Sequence, residues 1–147
     1  MEDRFVQGSI AGLIAGIAMN IVNLILVMVF SFGEDLLVNY AAEMLLGSTP
    51  GFLFEYIISF VAHIVWTMLL GILFAYMILI VDSSYMLYKS WFFSITTWFL
   101  LYSVGILFEV PLLEVTSVST ATSNMITSSV YGLLLGYIFM RLSHNPE

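Results

Sequence analysis

The residues of this chain whose chemistry is hardest to place in an apolar setting are Glu55 and His63. They lie within one long apolar run, and on a helix they share a face about 12 Å apart. An ionisable group inside a membrane is expensive and is by default a functional candidate. With Asn20, Asn23 and Asn124 they make up a candidate polar path or buried hydrogen-bond network, suited to relaying protons or holding a cation. Each also has a plainer reading. Glu55 lies within two turns of the start of its run and is placed to face water. His63 is placed to act as a neutral hydrogen-bonding core residue, with Thr67 one turn on.

Other chemistries lack their parts. The chain has no cysteine, which removes disulfides, thiolate metal sites and thiol catalysis. Zinc needs three or four suitably spaced ligands, and none are grouped. The second histidine, His144, falls in the terminal tail, so one chain cannot offer two axial haem ligands at membrane depth. No G-x-S-x-G elbow occurs. The sequence therefore predicts no enzyme activity, no metal and no cofactor. Glu34, Asp35, Glu43, Glu109 and Glu114 form an acidic rim that would attract cations to a mouth or simply be solvated.

The elements that must position these residues follow from composition. Of 147 residues, 61% are hydrophobic and 9% charged, against about 25% charged in a soluble domain. Apolar runs at about 5–31, 51–81, 91–109 and 118–140 are each long enough to cross a bilayer. The expected fold is all-α: a polytopic four-transmembrane-helix bundle, with residues 1–147 forming a single membrane domain. The first run is too long for a signal core and lacks an A-x-A site, so it is expected to remain as the first span. A net charge of −7 with only three basic residues cannot neutralise phosphates, which excludes nucleic acid.

Those three basic residues, Arg4, Lys89 and Arg141, fall on one side of a four-span arrangement. Retention of basic residues on the cytoplasmic side predicts a cell-membrane protein with both termini cytoplasmic. The first outer loop carries apolar Leu36, Leu37, Tyr40, Ala41, Met44 and Leu45 on one stripe. That pattern predicts a short amphipathic helix over about 35–46, started by Asp35 and stopped by Gly47. Thr49 and Pro50 are placed to open the second span. The third span is aromatic-rich and without a glycine stripe, which predicts a peripheral position.

Two stripes of small residues match. Gly8, Gly12 and Gly16 run into Asn20 on the first span, and Ser128, Gly132 and Gly136 follow Asn124 on the fourth. Both asparagines lie roughly 22–26 Å from the cytoplasmic ends by helical rise. Small faces let helix backbones approach closely in lipid, so the first and fourth spans are expected to pack through these stripes, with Asn20 beside Asn124.

The segment Gly8 to Asn20, the Gly47-x-x-Pro50-x-x-x-x-Glu55 turn, Ala62-His63, Leu70 to Tyr76, and Ser123-Asn124 with Tyr131-Gly132-x-x-x-Gly136 together resemble a family of small uncharacterised four-span integral membrane proteins of Gram-positive bacteria. The resemblance implies the four-span architecture and carries no activity with it. Partners expected from the sequence are the lipid bilayer and either a second copy or a larger membrane complex. Two functions follow. One is an accessory or scaffolding subunit acting through helix packing. The other is a small oligomeric transporter or channel for protons, cations or a small solute, with its path near Asn20, Asn23, Glu55, His63 and Asn124.

Overall fold

Hydrocarbon offers backbone groups no water, so a spanning segment must close its own hydrogen bonds. The prolines of this chain, at positions 50, 111 and 146, all fall outside the long apolar runs and leave them free to do so. The computed structural model describes residues 3–114 and 116–143. Its helices are α1 (Arg4–Met28), α2 (Leu37–Leu46), α3 (Leu53–Val81), α4 (Met86–Leu107), α5 (Pro111–Glu114) and α6 (Val118–Ser143). Helices α1, α3, α4 and α6 are long and apolar enough to cross a membrane, and the described residues contain no strand. The chain is an all-helical multi-pass membrane protein. His144 and Glu2 lie outside the described residues.

Several helix ends differ from expectation, each for a local reason. Asp35 does not start α2. Its carboxylate accepts from Asn39 Nδ2 at 3.2 Å, and the first free amide of the helix, Leu37 N–H, donates instead to Asn23 Oδ1 of α1 at 2.9 Å. Gly47 does stop α2, in the left-handed conformation at φ 72°. Helix α3 opens three residues after Pro50, where Glu55 folds back to accept from the amides of Gly51 (2.7 Å) and Phe52 (3.3 Å). Helix α4 begins at Met86 and so includes Lys89. The turn before it is tight, with Asp82 and Tyr85 both at positive φ. Lys89 Nζ reaches the Asp82 carboxylate at 3.2 Å and the carbonyls of Val81 and Asp82, capping the end of α3. Hydrogen bonds from Ser84, then from Lys89, pull the Asp82 carboxyl down to about 2.

Helix packing runs α3–α1–α6–α4, with α2 laid against α3. Neighbours in this row are antiparallel. Arg4, Lys89 and Arg141 therefore share one end of the bundle (the basic end), and the turns bearing Glu34, Asp35, Glu43 and Glu109 share the other (the acidic end). Ala11, Ala15 and Met19 of α1 meet Phe74, Ala75 and Ile78 of α3 and Tyr131, Leu135 and Phe139 of α6 in one buried cluster.

The small-residue stripes have partners other than those expected. Gly8, Gly12 and Gly16 face α3: a Cβ on Gly8 would lie 2.7 Å from Gly71 O, and one on Gly12 would strike Thr67 O and come within 2.9 Å of Met68 Cα. Gly132 and Gly136 face α4, where a Cβ on Gly132 would lie 2.7 Å from Ser94 Cβ and one on Gly136 2.8 Å from Ser90 Cβ. Ser94 Oγ also donates to Ser128 O at 2.6 Å. Spacing and depth mark a helix face as small but do not say which neighbour it meets. Here each stripe is met by a helix carrying its own small residues, Gly71 and Ala75 on α3 and Ser90 and Ser94 on α4.

Candidate functional site: an intramembrane cavity

The five expected polar residues do not line one path. Asn20 and His63 do meet: the Asn20 amide lies 3.1–3.2 Å from His63 Nδ1 and also donates to Gly16 O at 2.8 Å. Asn124 is not beside Asn20. It donates from Nδ2 to Tyr102 OH at 2.7 Å. Asn23, 2% exposed, holds the start of α2, and Glu55 caps α3. Their separation is physical: Glu55 is drawn to the free amides at a helix end, and Asn23 to an α2 amide that no other group satisfies. Of the acidic rim, Glu34 and Glu109 are exposed and Asp35 and Glu43 half-buried.

His63 contributes instead to a cavity that the packing order creates. Helices α3 and α4 are joined by a short turn but do not pack along each other. They meet at the basic end, where Phe74 contacts Phe93 (centroids 5.7 Å) and Phe139 (6.0 Å). Beyond that aromatic plug they part, and a partly open cavity of about 350 Å³ fills the gap. Its side walls are His63, Trp66 and Thr67 of α3 and Trp98, Leu101 and Tyr102 of α4. Asn124, Ser128 and Tyr131 of α6 line the back, and Tyr40, Ala41 and Met44 of α2 cover the acidic end. Small-molecule sites occupy roughly 300–1,000 Å³ with mostly apolar walls and few polar groups, and this cavity lies within that range.

The polar groups of the lining divide by depth. At the plugged end, three hydroxyls are committed to carbonyls: Thr67 to Ile64 O (2.8 Å), Ser94 to Ser128 O (2.6 Å) and Tyr131 to Thr67 O (2.6 Å). That end presents an apolar surface. Toward α2, Trp98 Nε1 and Asn124 Oδ1 are buried and have no hydrogen-bond partner, and Tyr40 OH is buried beside the Tyr102 hydroxyl and the Asn124 amide. The three residues that carry these atoms, Tyr40, Trp98 and Asn124, all line the one cavity. Burial, and then the neighbouring Tyr102, push the Tyr40 phenol well above its ordinary value, so it remains a neutral donor. Among the described residues, no Asp, Glu, Lys or Arg lines the cavity.

A second, shallower cavity of about 310 Å³ lies on the other side of the Asn20–His63 contact, lined by Asn20, Asn23, Tyr56 and Phe60 among others. Among the described residues no three His, Cys, Asp or Glu side chains gather as a metal site.

Tyr40, Trp98 and Tyr102 were not among the expected site residues. Trp98 and Tyr102 read as aromatics of a peripheral span, and Tyr40 as part of the apolar stripe of the short outer helix. The signal that marks them is the polar tip, since a buried indole N–H or phenol normally finds a partner.

Fold and cavity together define a multi-pass helical membrane protein with a small-molecule-sized cavity inside its bundle. Comparison with family models, with curated proteins and with solved structures finds no match.

Proposed function

We propose that this protein is a membrane-embedded binding protein for a small, mainly apolar molecule. The ligand enters from the lipid between α3 and α4 and is held under α2. The observation that carries this reading is the partly open, largely apolar cavity in the one gap of the helix row. The role is binding and handling rather than covalent catalysis, because among the described residues the walls offer no Asp, Glu, Lys or Arg to act as acid, base or ion clamp. In the cell membrane the basic end, with both termini, faces the cytoplasm, so the cavity lies toward the outer leaflet.

The scaffolding reading rested on the small-residue stripes as an interface to a second copy or a larger complex. Contacts within one chain occupy both stripes, which favours ligand binding over association through them. A continuous ion path is likewise not favoured, since Glu55, Asn23 and Asn124 serve separate contacts.

Tryptophan fluorescence tests the reading. Of the three tryptophans, Trp66 and Trp98 line the cavity, while Trp91 donates to Ser129 Oγ elsewhere. In a Trp91→Phe protein in phosphatidylcholine nanodiscs, ω-bromodecane should quench with a saturable component. Ala62→Phe, which places a ring at the cavity wall, should remove saturation and leave only the linear quenching of lipid partition. Linear quenching in both proteins would overturn the proposal.

A further inference from the structure

The unpartnered groups at the α2 end of the cavity specify more than apolarity. Trp98 Nε1 is a donor only, Asn124 Oδ1 an acceptor only, and a phenol such as Tyr40 OH does either. Trp98 Nε1 and Asn124 Oδ1 are buried without a partner, Tyr40 OH is shared with Tyr102 and Asn124, and Asn124 as a residue is 2% exposed. A buried polar atom left unpaired is destabilising, so a group that satisfied the indole N–H and the amide oxygen together, next to the Tyr40 hydroxyl, would be held strongly. It must both donate and accept.

Charge is disfavoured on the same grounds. An ion taken out of water needs a counter-charge or a dense set of hydrogen bonds. Among the described residues the lining contains no carboxylate, ammonium or guanidinium, and its one imidazole, His63, has Nδ1 engaged by the Asn20 amide. The plugged end, with the Thr67, Ser94 and Tyr131 hydroxyls tied to carbonyls, suits an apolar portion. At about 30 Å³ per small heavy-atom unit, by analogy with the volume share of a water molecule, 350 Å³ holds roughly a dozen non-hydrogen atoms.

We infer that the cavity recognises a neutral amphiphile with one uncharged group that both donates and accepts, a primary alcohol being the simplest. That group sits among Tyr40, Trp98 and Asn124, and a short apolar chain points toward the Phe74–Phe93 plug. This inference rests on the ligand-binding reading above and adds the chemistry of the ligand.

The test extends the quenching assay to four brominated probes of one chain length: ω-bromodecanol, ω-bromodecane, ω-bromodecanoate and ω-bromodecylamine. In the Trp91→Phe background the alcohol should saturate at about tenfold lower concentration than the alkane, as expected for one or two net hydrogen bonds. The acid and amine should bind no better than the alkane. Tyr40→Phe combined with Trp98→Phe removes a hydroxyl and an indole N–H while keeping aromatic rings, and Trp66 remains as reporter. In that variant the alcohol should lose its advantage while the alkane is unchanged, with far-ultraviolet circular dichroism showing the same helix content. Equal binding of alcohol and alkane in the parent protein would overturn the head-group inference and leave the apolar-ligand reading standing. Tightest binding of the acid or the amine would overturn the neutral-ligand inference. Absence of saturable quenching by any probe would overturn the underlying reading itself.

Discussion

Replacing Gly71 by alanine tests the packing on which the cavity depends. A Cβ at Gly71 would strike Gly8 O and lie 2.8 Å from Gly12 Cα and 2.9 Å from Gly12 N. All three obstacles are backbone, so no rotamer change relieves them and α1 and α3 must separate along their shared face. Overpacking of a close-packed site costs about 1–3 kcal/mol, and a backbone-limited site belongs at the upper end. Gly12→Ala meets Thr67 O and Met68 Cα and should cost about the same. At Gly16 the obstacle is different. A Cβ there would strike the Thr67 hydroxyl and lie 2.7 Å from Thr67 Cβ, a side chain that can be trimmed. Gly16→Ala should cost about 1–2 kcal/mol, and Thr67→Ala should offset part of that loss, giving a coupling of about 0.5 kcal/mol or more. Thr67→Ala should not rescue Gly71→Ala. Gly51→Ala is the control, since its Cβ would have only Glu55 Oε2 at 3.8 Å and should change stability by no more than about 0.5 kcal/mol. Equilibrium unfolding in mixed micelles, followed by circular dichroism, measures all of these. A Gly71→Ala protein as stable as the Gly51→Ala control, or a Gly71→Ala protein rescued by Thr67→Ala, would refute the assigned α1–α3 contact.

Other consequences can be checked separately. Asn23→Leu removes the acceptor for Leu37 N–H and should loosen α2 by about 0.5–1.5 kcal/mol; hydrogen exchange should speed up over 37–46, and unchanged protection there would exclude the anchor. Glu55→Ala removes the cap of α3 at about 0.5–1 kcal/mol and should leave bromodecane affinity unaltered, because the carboxylate is engaged away from the cavity. Asp82 titrates lower when folded, so any stability it contributes is present above its usual value of 3.8 and is lost only as pH falls toward about 2; Asp82→Asn should therefore leave the unfolding midpoint equally flat between pH values above that window. For orientation, single cysteines at Ser84 and Ser117 in this cysteine-free chain should react with an impermeant thiol reagent on intact cells only at Ser117, and labelling at Ser84 would reverse the proposed topology.

Much of the architecture was legible from the sequence because it depends on local properties. Unbroken apolar runs without proline fix the four long helices, the one-sided stripe of Leu37, Tyr40, Ala41 and Met44 marks α2, and Gly47 marks its end. Pairing between helices was less legible. Gly12 and Gly132 lie on equally small faces, but their partners, Gly71 with Ala75 and Ser90 with Ser94, are short pairs among large residues and carry too little pattern to be singled out. The site was least legible. His63 and Asn124 are conspicuous as polar residues in apolar runs, and both do line the cavity. Glu55 and Asn23 are equally conspicuous and serve helix ends. Trp98 and Tyr102 look like lipid-facing aromatics until the parting of α3 and α4 makes them walls of the gap.

The central claim is that the gap between α3 and α4 is a ligand site. The most direct measurement is photolabelling in nanodiscs with a diazirine-bearing decanol, followed by mass-spectrometric mapping of the modified residues. Label should concentrate at Trp66 and Leu70 on α3 and at Trp98 and Leu101 on α4, and excess decanol should suppress it. Label spread evenly over lipid-facing residues such as Ile80, Phe99 and Leu133, with no displacement by decanol, would contradict the account.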